Sequence, residues 1–390
     1  METFILTINS GSSSVKFALY SGDGLFSRTL HGKIERIGLH GTTLSYAVAT
    51  GKEETREIPD GDFAAVMKIL DLFLLEHVDF SRVVAIGHRI VHGMGRKNHL
   101  VVTSELIAEL KEINALDPEH LPFEIAIMEM FAKQHPALPQ VACFDTVFHR
   151  DMPRVAQLLP LPRRFESKGV RRYGFHGLSL SSIMEGLQSS DPEKAKGRVI
   201  IAHLGNGASI TAVKEGKSVD TSMGFTPTGG ILMSSRTGDI DPGTLLYIME
   251  SEGLSRDAIN HLINHESGLL GVSETSSDMH DLLGREATDE RAREAVALFC
   301  YEAKKRIGAY ITALGGVETI IFTGGMGENA PLIRARICEG LGFLGITLDL
   351  ARNDSNEDII SSISTPVCVR VMHTDEELTI AHIIQELIGK

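Results

Sequence analysis

The chain has 390 residues and 43% hydrophobic content, more than one core accommodates, so two domains of similar size with a cleft between them are expected. Lys and Arg total 38 against 51 Asp and Glu, a net charge of −13, which disfavours loose attraction to nucleic acid or an anionic membrane. An anionic substrate must then be caught locally, by Arg side chains and backbone N–H groups.

Cys143, Cys300, Cys338 and Cys368 are far apart, form no CxxC pair and read as reduced, mostly buried thiols. Phe4 to Ile8 is too short for a signal peptide, and the apolar stretch from Ala64 to Leu75 is broken by Lys68 and Asp71. A cytoplasmic protein, neither exported nor membrane-spanning, is expected.

In chain order, an apolar run from Thr3 to Ile8 leads into the turn Asn9-Ser10-Gly11-Ser12-Ser13-Ser14 and the alternating run from Val15 to Tyr20. This predicts a hairpin in which Lys16 faces away from the core side taken by Val15 and Phe17. Such a turn can let a backbone approach a phosphate, or be an ordinary Ser/Gly turn; it is not a GxxxxGK[ST] loop. Helical spacing follows in Phe63 to Leu75.

A similar hairpin recurs where Val199 to Leu204 runs into Gly205-Asn206-Gly207 and Ala208 to Val213. Two such units half a chain apart suggest internal duplication. The polar stretch from Asp220 to Gly243 reads as a functional loop. Helical spacing resumes in Ala292 to Leu314; the strand Thr319 to Phe322 then meets the glycine cluster Thr323 to Asn329, and a helix is expected from near Pro331. Backbone N–H groups at such a helix start favour a phosphate. A last helix spans Glu376 to Ile388, with Thr374 or Asp375 as its cap; a carboxylate left free there could reach a metal through water.

Between these elements, polar clusters interrupt apolar strands: GHRIVHG at 87–93, FDTVFH at 144–149 and RRYGFHG at 171–177. Arg is the side chain best shaped to grip a carboxylate or phosphate, although each Arg or His alone reads better as a surface charge or a satisfied core group. Taken with NSGSSSVKF at 9–17, HLGNGAS at 203–209, DTSMGFTP at 220–227, SRTGDIDPG at 235–243, TGGMGEN at 323–329 and TDEE at 374–377, they resemble, in order and over nearly the whole chain, the blocks of the acetate kinases.

That resemblance implies an α/β fold of duplicated actin-like, ribonuclease H-like ATPase domains with a nucleotide cleft between them. The expected boundaries are 1–148, completed by the C-terminal helix 377–390, and 149–376. It implies reversible transfer of the ATP γ-phosphoryl group to acetate, giving acetyl phosphate and ADP, by a homodimer using Mg²⁺ or Mn²⁺. Asn9 and Glu376 would hold the metal. Lys16, His203, Leu204, Gly205, Asn206, Gly207, Asp278, Met279, His280, Gly325, Met326, Gly327, Glu328 and Asn329 would bind the nucleotide. Arg89 would take the carboxylate, with Val91 and Phe175 beside its alkyl group. Asp145 matches the family's acid/base, and His176 and Arg236 its transition-state stabilisers. Because the attacking carboxylate is already ionised at neutral pH, Asp145 is expected mainly to orient Arg or hydrated Mg²⁺.

Two segments and one further residue depart from the family. Where many members carry a PLHNP-type acyl-pocket sequence, this chain has NALDPEHLP at 114–122; the Asp-Met-Arg triplet is Asp278-Met279-His280, and Met326 stands where Ile is usual. The first keeps a propionate or other short-chain fatty acid kinase as the alternative, since one methylene is worth only about 1–3 kcal/mol. An Hsp70- or actin-like ATPase without an acyl substrate, and a non-catalytic paralogue, are the further rivals.

Overall fold

The structure is a computed structural model that describes all residues except 1, 12, 23, 25, 50 and 390, and the side chain of residue 115; Ser12 of the first turn thus lies outside the described residues. The chain divides into two compact units, Met1–Val147 with Asp375–Lys390, and Phe148–Thr374.

The first unit is built on β1 (Phe4–Ser10), β2 (Ser14–Ser21), β3 (Arg28–Glu35), β4 (Thr43–Val48), β5 (Glu54–Glu57), β6 (Val83–Ile90), β7 (Leu100–Val101) and β8 (Gln140–Phe144). They form one sheet in the order β5-β4-β3-β2-β1-β6-β8-β7. β1 and β2 pair antiparallel, opposing Asn9 to Lys16, whereas β1, β6 and β8 run parallel. Every residue of β1 is buried, as a central strand covered on both faces requires. Helix Phe63–His77 packs Val66, Leu70, Phe73 and Leu74 into the cluster under Leu6, Ile8, Phe17 and Ile34. Helix Glu376–Ile388 covers β6: a Cβ on Gly87 would sit 2.2 Å from Ile380 Cγ2 and 2.6 Å from Ile384 Cδ1, so only glycine admits this helix.

In the second unit β9 (Arg198–Leu204), β10 (Ala208–Lys214), β11 (Lys217–Thr221), β12 (Thr319–Thr323) and β13 (Cys368–Val371) form a sheet in the order β11-β10-β9-β12-β13. Here too an antiparallel hairpin precedes two parallel neighbours. The order matches β3-β2-β1-β6-β8 of the first unit strand for strand, which is the duplicated actin-like, ribonuclease H-like α/β topology. Helix Glu290–Leu314 buries Ala292, Ala295, Val296, Phe299 and Ala303 along one stripe, and Gly315, left-handed at φ 71°, ends it.

The glycine cluster after β12 differs from expectation. It forms its own short helix, Gly324–Asn329, before helix Pro331–Cys338. Gly324 makes the turn: its φ is +76°, and an added Cβ would fall 2.8 Å from the Leu204 carbonyl oxygen, so the chain bends there and helical pairing begins at once.

Candidate active site

In the first unit, the ends of β1, β6 and β8 and the start of the C-terminal helix bring four predicted residues together. Arg89 Nε and Nη2 both donate to Asp145 Oδ2, at 3.0 and 2.7 Å, and Nη1 donates to Asn9 Oδ1 at 3.2 Å. Glu376 lies 3.8 Å from Arg89 Nε. The Asn9 amide nitrogen donates to Glu376 at 2.8 Å and to Glu377 at 3.0 Å.

Asp145 is fully buried, whereas Arg89 keeps 16% of its side chain exposed. Burial works against the Arg89 charge, but Asp145 and then Glu376 outweigh it and hold its pKa above the ordinary value. Burial pushes the Glu377 carboxyl up; Lys16 opposes the shift and Glu376 adds to it. Asp375 caps the last helix through Leu378 N–H, which leaves Glu376 and Glu377 to face Asn9.

Asn9 gives its amide oxygen to Arg89 and turns its nitrogen to the two glutamates, so the oxygen donors of the kind a hard divalent cation takes are the carboxylates of Glu376 and Glu377. Among the described residues no three His, Cys, Asp or Glu side chains converge as a ready cage, and Mg²⁺, which keeps several of its waters, needs only one or two carboxylates. Lys16 projects from β2 into a cavity of about 180 Å³ shared with Arg28, His31, Lys33, Tyr46 and Glu377. Val91 is buried just beyond β6, and its N–H is accepted by Glu124 at 3.1 and 3.2 Å. Sequence reasoning missed Glu124 and Glu377: the first reads as one charge of an amphipathic helix, and the second was hidden beside Glu376.

In the second unit, His176 precedes helix Gly177–Ser190 in the left-handed region at φ 60°. Its Nδ1 lies 2.9 Å from Ser209 Oγ, and its ring stands 4.3 Å from that of His203. Arg236 donates to the Pro227 carbonyl at 3.1 Å. Its loop is pinned by the N–H groups of Ser267, Leu269 and Leu270, which donate to Ser235, Met233 and Ser234 carbonyls. Gly268 is obligatory there, because a Cβ would meet the Met233 carbonyl oxygen at 2.2 Å. His176 and Arg236 converge on Gly207: a Cβ at that position would lie 3.1 Å from His176 Nε2 and 3.7 Å from Arg236 Nη1. Phe175 is buried, and its carbonyl accepts from His149 Nε2 at 3.0 Å.

A cavity of about 540 Å³ in this unit is lined by Gly205, Asn206, Asp278, Met279, His280, Gly325, Met326 and Asn329, together with Leu283 and 330–332. Its size suits a nucleoside, and Asp278 shapes one wall by capping helix Met279–Arg285 through His280 and Asp281 N–H. The other nucleotide residues expected from the sequence are not among its lining. Leu204 is buried in β9, His203 packs on His176, and Gly327 is buried in its helix. Glu328 accepts from Gly324 N–H at 3.0 Å and Thr374 N–H at 3.3 Å, and pairs with His373. Leu283 and Leu332 were invisible beforehand because only the folding of separate helices brings them to one wall.

A duplicated actin-like fold with a glycine-lined nucleoside-sized cavity in one unit and a carboxylate-held arginine in the other defines the class of phosphotransferases built on this topology. The sequence matches the acetokinase family over residues 4–382, and the chain belongs to that family. It is 41% identical over 397 residues to acetate kinase of Coprothermobacter proteolyticus, covering 98% of each chain. Among solved structures it resembles acetate kinase of Porphyromonas gingivalis, 37% identical with a TM-score of 0.87, covering 99% of this chain and 100% of that one. A propionate kinase from Francisella tularensis is 35% identical with a TM-score of 0.92 over the same shares.

Proposed function

We propose that the protein transfers the γ-phosphoryl group of ATP reversibly to acetate, forming acetyl phosphate and ADP. The observation that carries this reading is Arg89, a largely buried guanidinium held in place by Asp145 and Asn9, the group best shaped to grip a small carboxylate.

The attacking carboxylate is already ionised, so the chemistry is the approach of two anions and the spread of charge over the transferred phosphoryl oxygens. Arg89 takes the acyl carboxylate. Asp145 holds the guanidinium plane, and since it accepts two Arg89 N–H groups it acts by orientation rather than by removing a proton. His176 and Arg236, converging beside Gly207, supply donors to the charge that develops, a role worth about 10²–10³-fold per donor elsewhere. Glu376 and Glu377, with Asn9 beside them, would hold Mg²⁺, which neutralises nucleotide phosphates when bound. The cavity beside Met279 and Met326 takes the nucleoside.

A propionate-preferring enzyme is the second reading, supported by the likeness to a propionate kinase and by the 114–122 segment, where Asp117 and His120 pair at 2.9 Å. We also infer a cytoplasmic homodimer. Free, largely buried cysteines fit a reducing compartment, and among the described residues no helix is long and apolar enough to cross a membrane. Helix Pro242–Ser251 buries none of its side chains and exposes Leu246 and Tyr247, as a face covered by a second copy would.

Hydroxylamine trapping of acyl phosphate from acetate, propionate and butyrate with MgATP tests the reading, with Arg89→Ala as control. Highest kcat/KM for acetate, lost in the variant, is expected. A longer acid winning overturns the substrate, and no product from any acid overturns the reaction.

A further inference from the structure

Glu124 is a carboxyl group that neither the reaction nor surface solubility explains. It sits in the first turn of helix Leu121–Gln134, 2% exposed, and around that helix lie Ile90, Leu106, Leu110, Leu121, Ile125, Met128 and Phe144. Both its oxygens approach the N–H of Val91, the first residue past the end of β6 and so without a strand partner of its own. Two residues earlier on the same strand is Arg89.

The groups acting on Glu124 come from each element packed beside it. From the turn before its helix comes Asp117, 2% exposed and paired with His120; from β6, Arg89; from the turn after β8, Asp145. Burial and then Asp117 push the Glu124 carboxyl well above the usual range, Arg89 and the Val91 N–H pull against that, and Asp145 adds to the rise. Arg89 is thus one cation already shared by Asp145 and Glu376. A substrate carboxylate adds another negative charge to the same guanidinium, and an ionised Glu124 would add one more in an apolar setting where such charges repel strongly.

We propose that Glu124 is a positioning residue of the acyl site: it fixes Val91 and the strand end bearing Arg89, and Arg89 accepts a carboxylate substrate only while Glu124 is uncharged. The inference rests on the carboxylate role of Arg89 given above. Its consequence is that binding of the acyl substrate and protonation of Glu124 favour each other. Raising the pH ionises Glu124 and weakens the carboxylate's hold, whereas nucleotide binding in the other unit is untouched.

The test measures KM for acetate and for ATP from about pH 6 to about pH 9, above the ordinary carboxyl range and so in the direction in which burial moves Glu124, in the wild type and Glu124→Gln. Gln keeps an acceptor for Val91 N–H and cannot ionise. In the wild type KM for acetate should climb towards a limit of about tenfold per pH unit, with KM for ATP flat. In Glu124→Gln the climb should vanish, with KM near the wild-type value at the acid end. Parallel climbs in both proteins overturn the proposal. Should the variant fold poorly, calorimetry of acetate binding to the wild type in buffers of different ionisation enthalpy decides: proton uptake at alkaline pH supports the proposal, and none overturns it. An inactive wild type is a failure of the reaction itself, which acyl phosphate trapping reads separately.

Discussion

Asp145→Asn separates orientation from proton removal. Asp145 Oδ2 accepts from both Arg89 Nε and Nη2, at 3.0 and 2.7 Å, and the substitution keeps shape but removes charge. The bonds to an Asn amide stay charge-assisted from the Arg89 side, but the ion pair is lost; breaking a fully buried pair costs about 3–5 kcal/mol, and with Asn9 and Glu376 still beside Arg89 a loss of about 2–3 kcal/mol is expected. If that loss measures how firmly the guanidinium is aimed, kcat/KM for acetate falls by about 30- to 150-fold. KM for ATP stays within about twofold, because the nucleoside cavity is lined from the other unit. Steady-state kinetics in both directions across pH give the answer. Since an ionised carboxylate needs no base, the variant should keep the acid limb of the wild-type profile, while the alkaline climb in KM for acetate should move to lower pH, because the Asp145 charge adds to the rise of Glu124. A loss beyond about 10⁴-fold confined to kcat, with the acid limb of the pH profile abolished, is the signature of a general base and would refute the reasoning.

Two further outcomes are expected. An added Cβ on Gly325 meets nothing within 4 Å, and the residue lines the nucleoside cavity; Gly325→Phe should therefore raise KM for ATP at least about tenfold, by filling that space, with KM for acetate unchanged in the same assay. His88 and His149 are buried, and burial lowers each pKa from 6.5 to about 4. Unfolded chains bind protons at these positions first, so the stability from keeping them neutral is complete above about pH 6.5 and is lost on the way down to about pH 4, by about 3 kcal/mol each. Urea midpoints should fall over that window, and Gln at position 149 should flatten the fall.

How far the sequence alone reached depended on the range of the interaction behind each feature. Alternation of Val15, Lys16 and Phe17 fixed which way Lys16 points, because side-chain direction in a strand is local geometry, and the structure leaves Lys16 exposed between two buried neighbours. The paired hairpins announced the duplication, and helical spacing marked the helices that became Phe63–His77, Glu290–Leu314 and Glu376–Ile388. Arg89 and Asp145 were legible as charges set into apolar strands, which burial tolerates only with partners.

Other features required the fold. Nothing local says that Glu377 as well as Glu376 reaches Asn9, since that contact spans 368 residues. That Gly324–Asn329 is helical depended on Gly324 clearing the Leu204 carbonyl of a strand far away in sequence. Glu124 looked like an ordinary helix charge until β6 and its own helix packed together and shut out water. Local pattern determines element and direction, because it is written in neighbouring backbone geometry; which buried charges meet, and so which of them can be ionised, is decided only when distant strands and helices close around them.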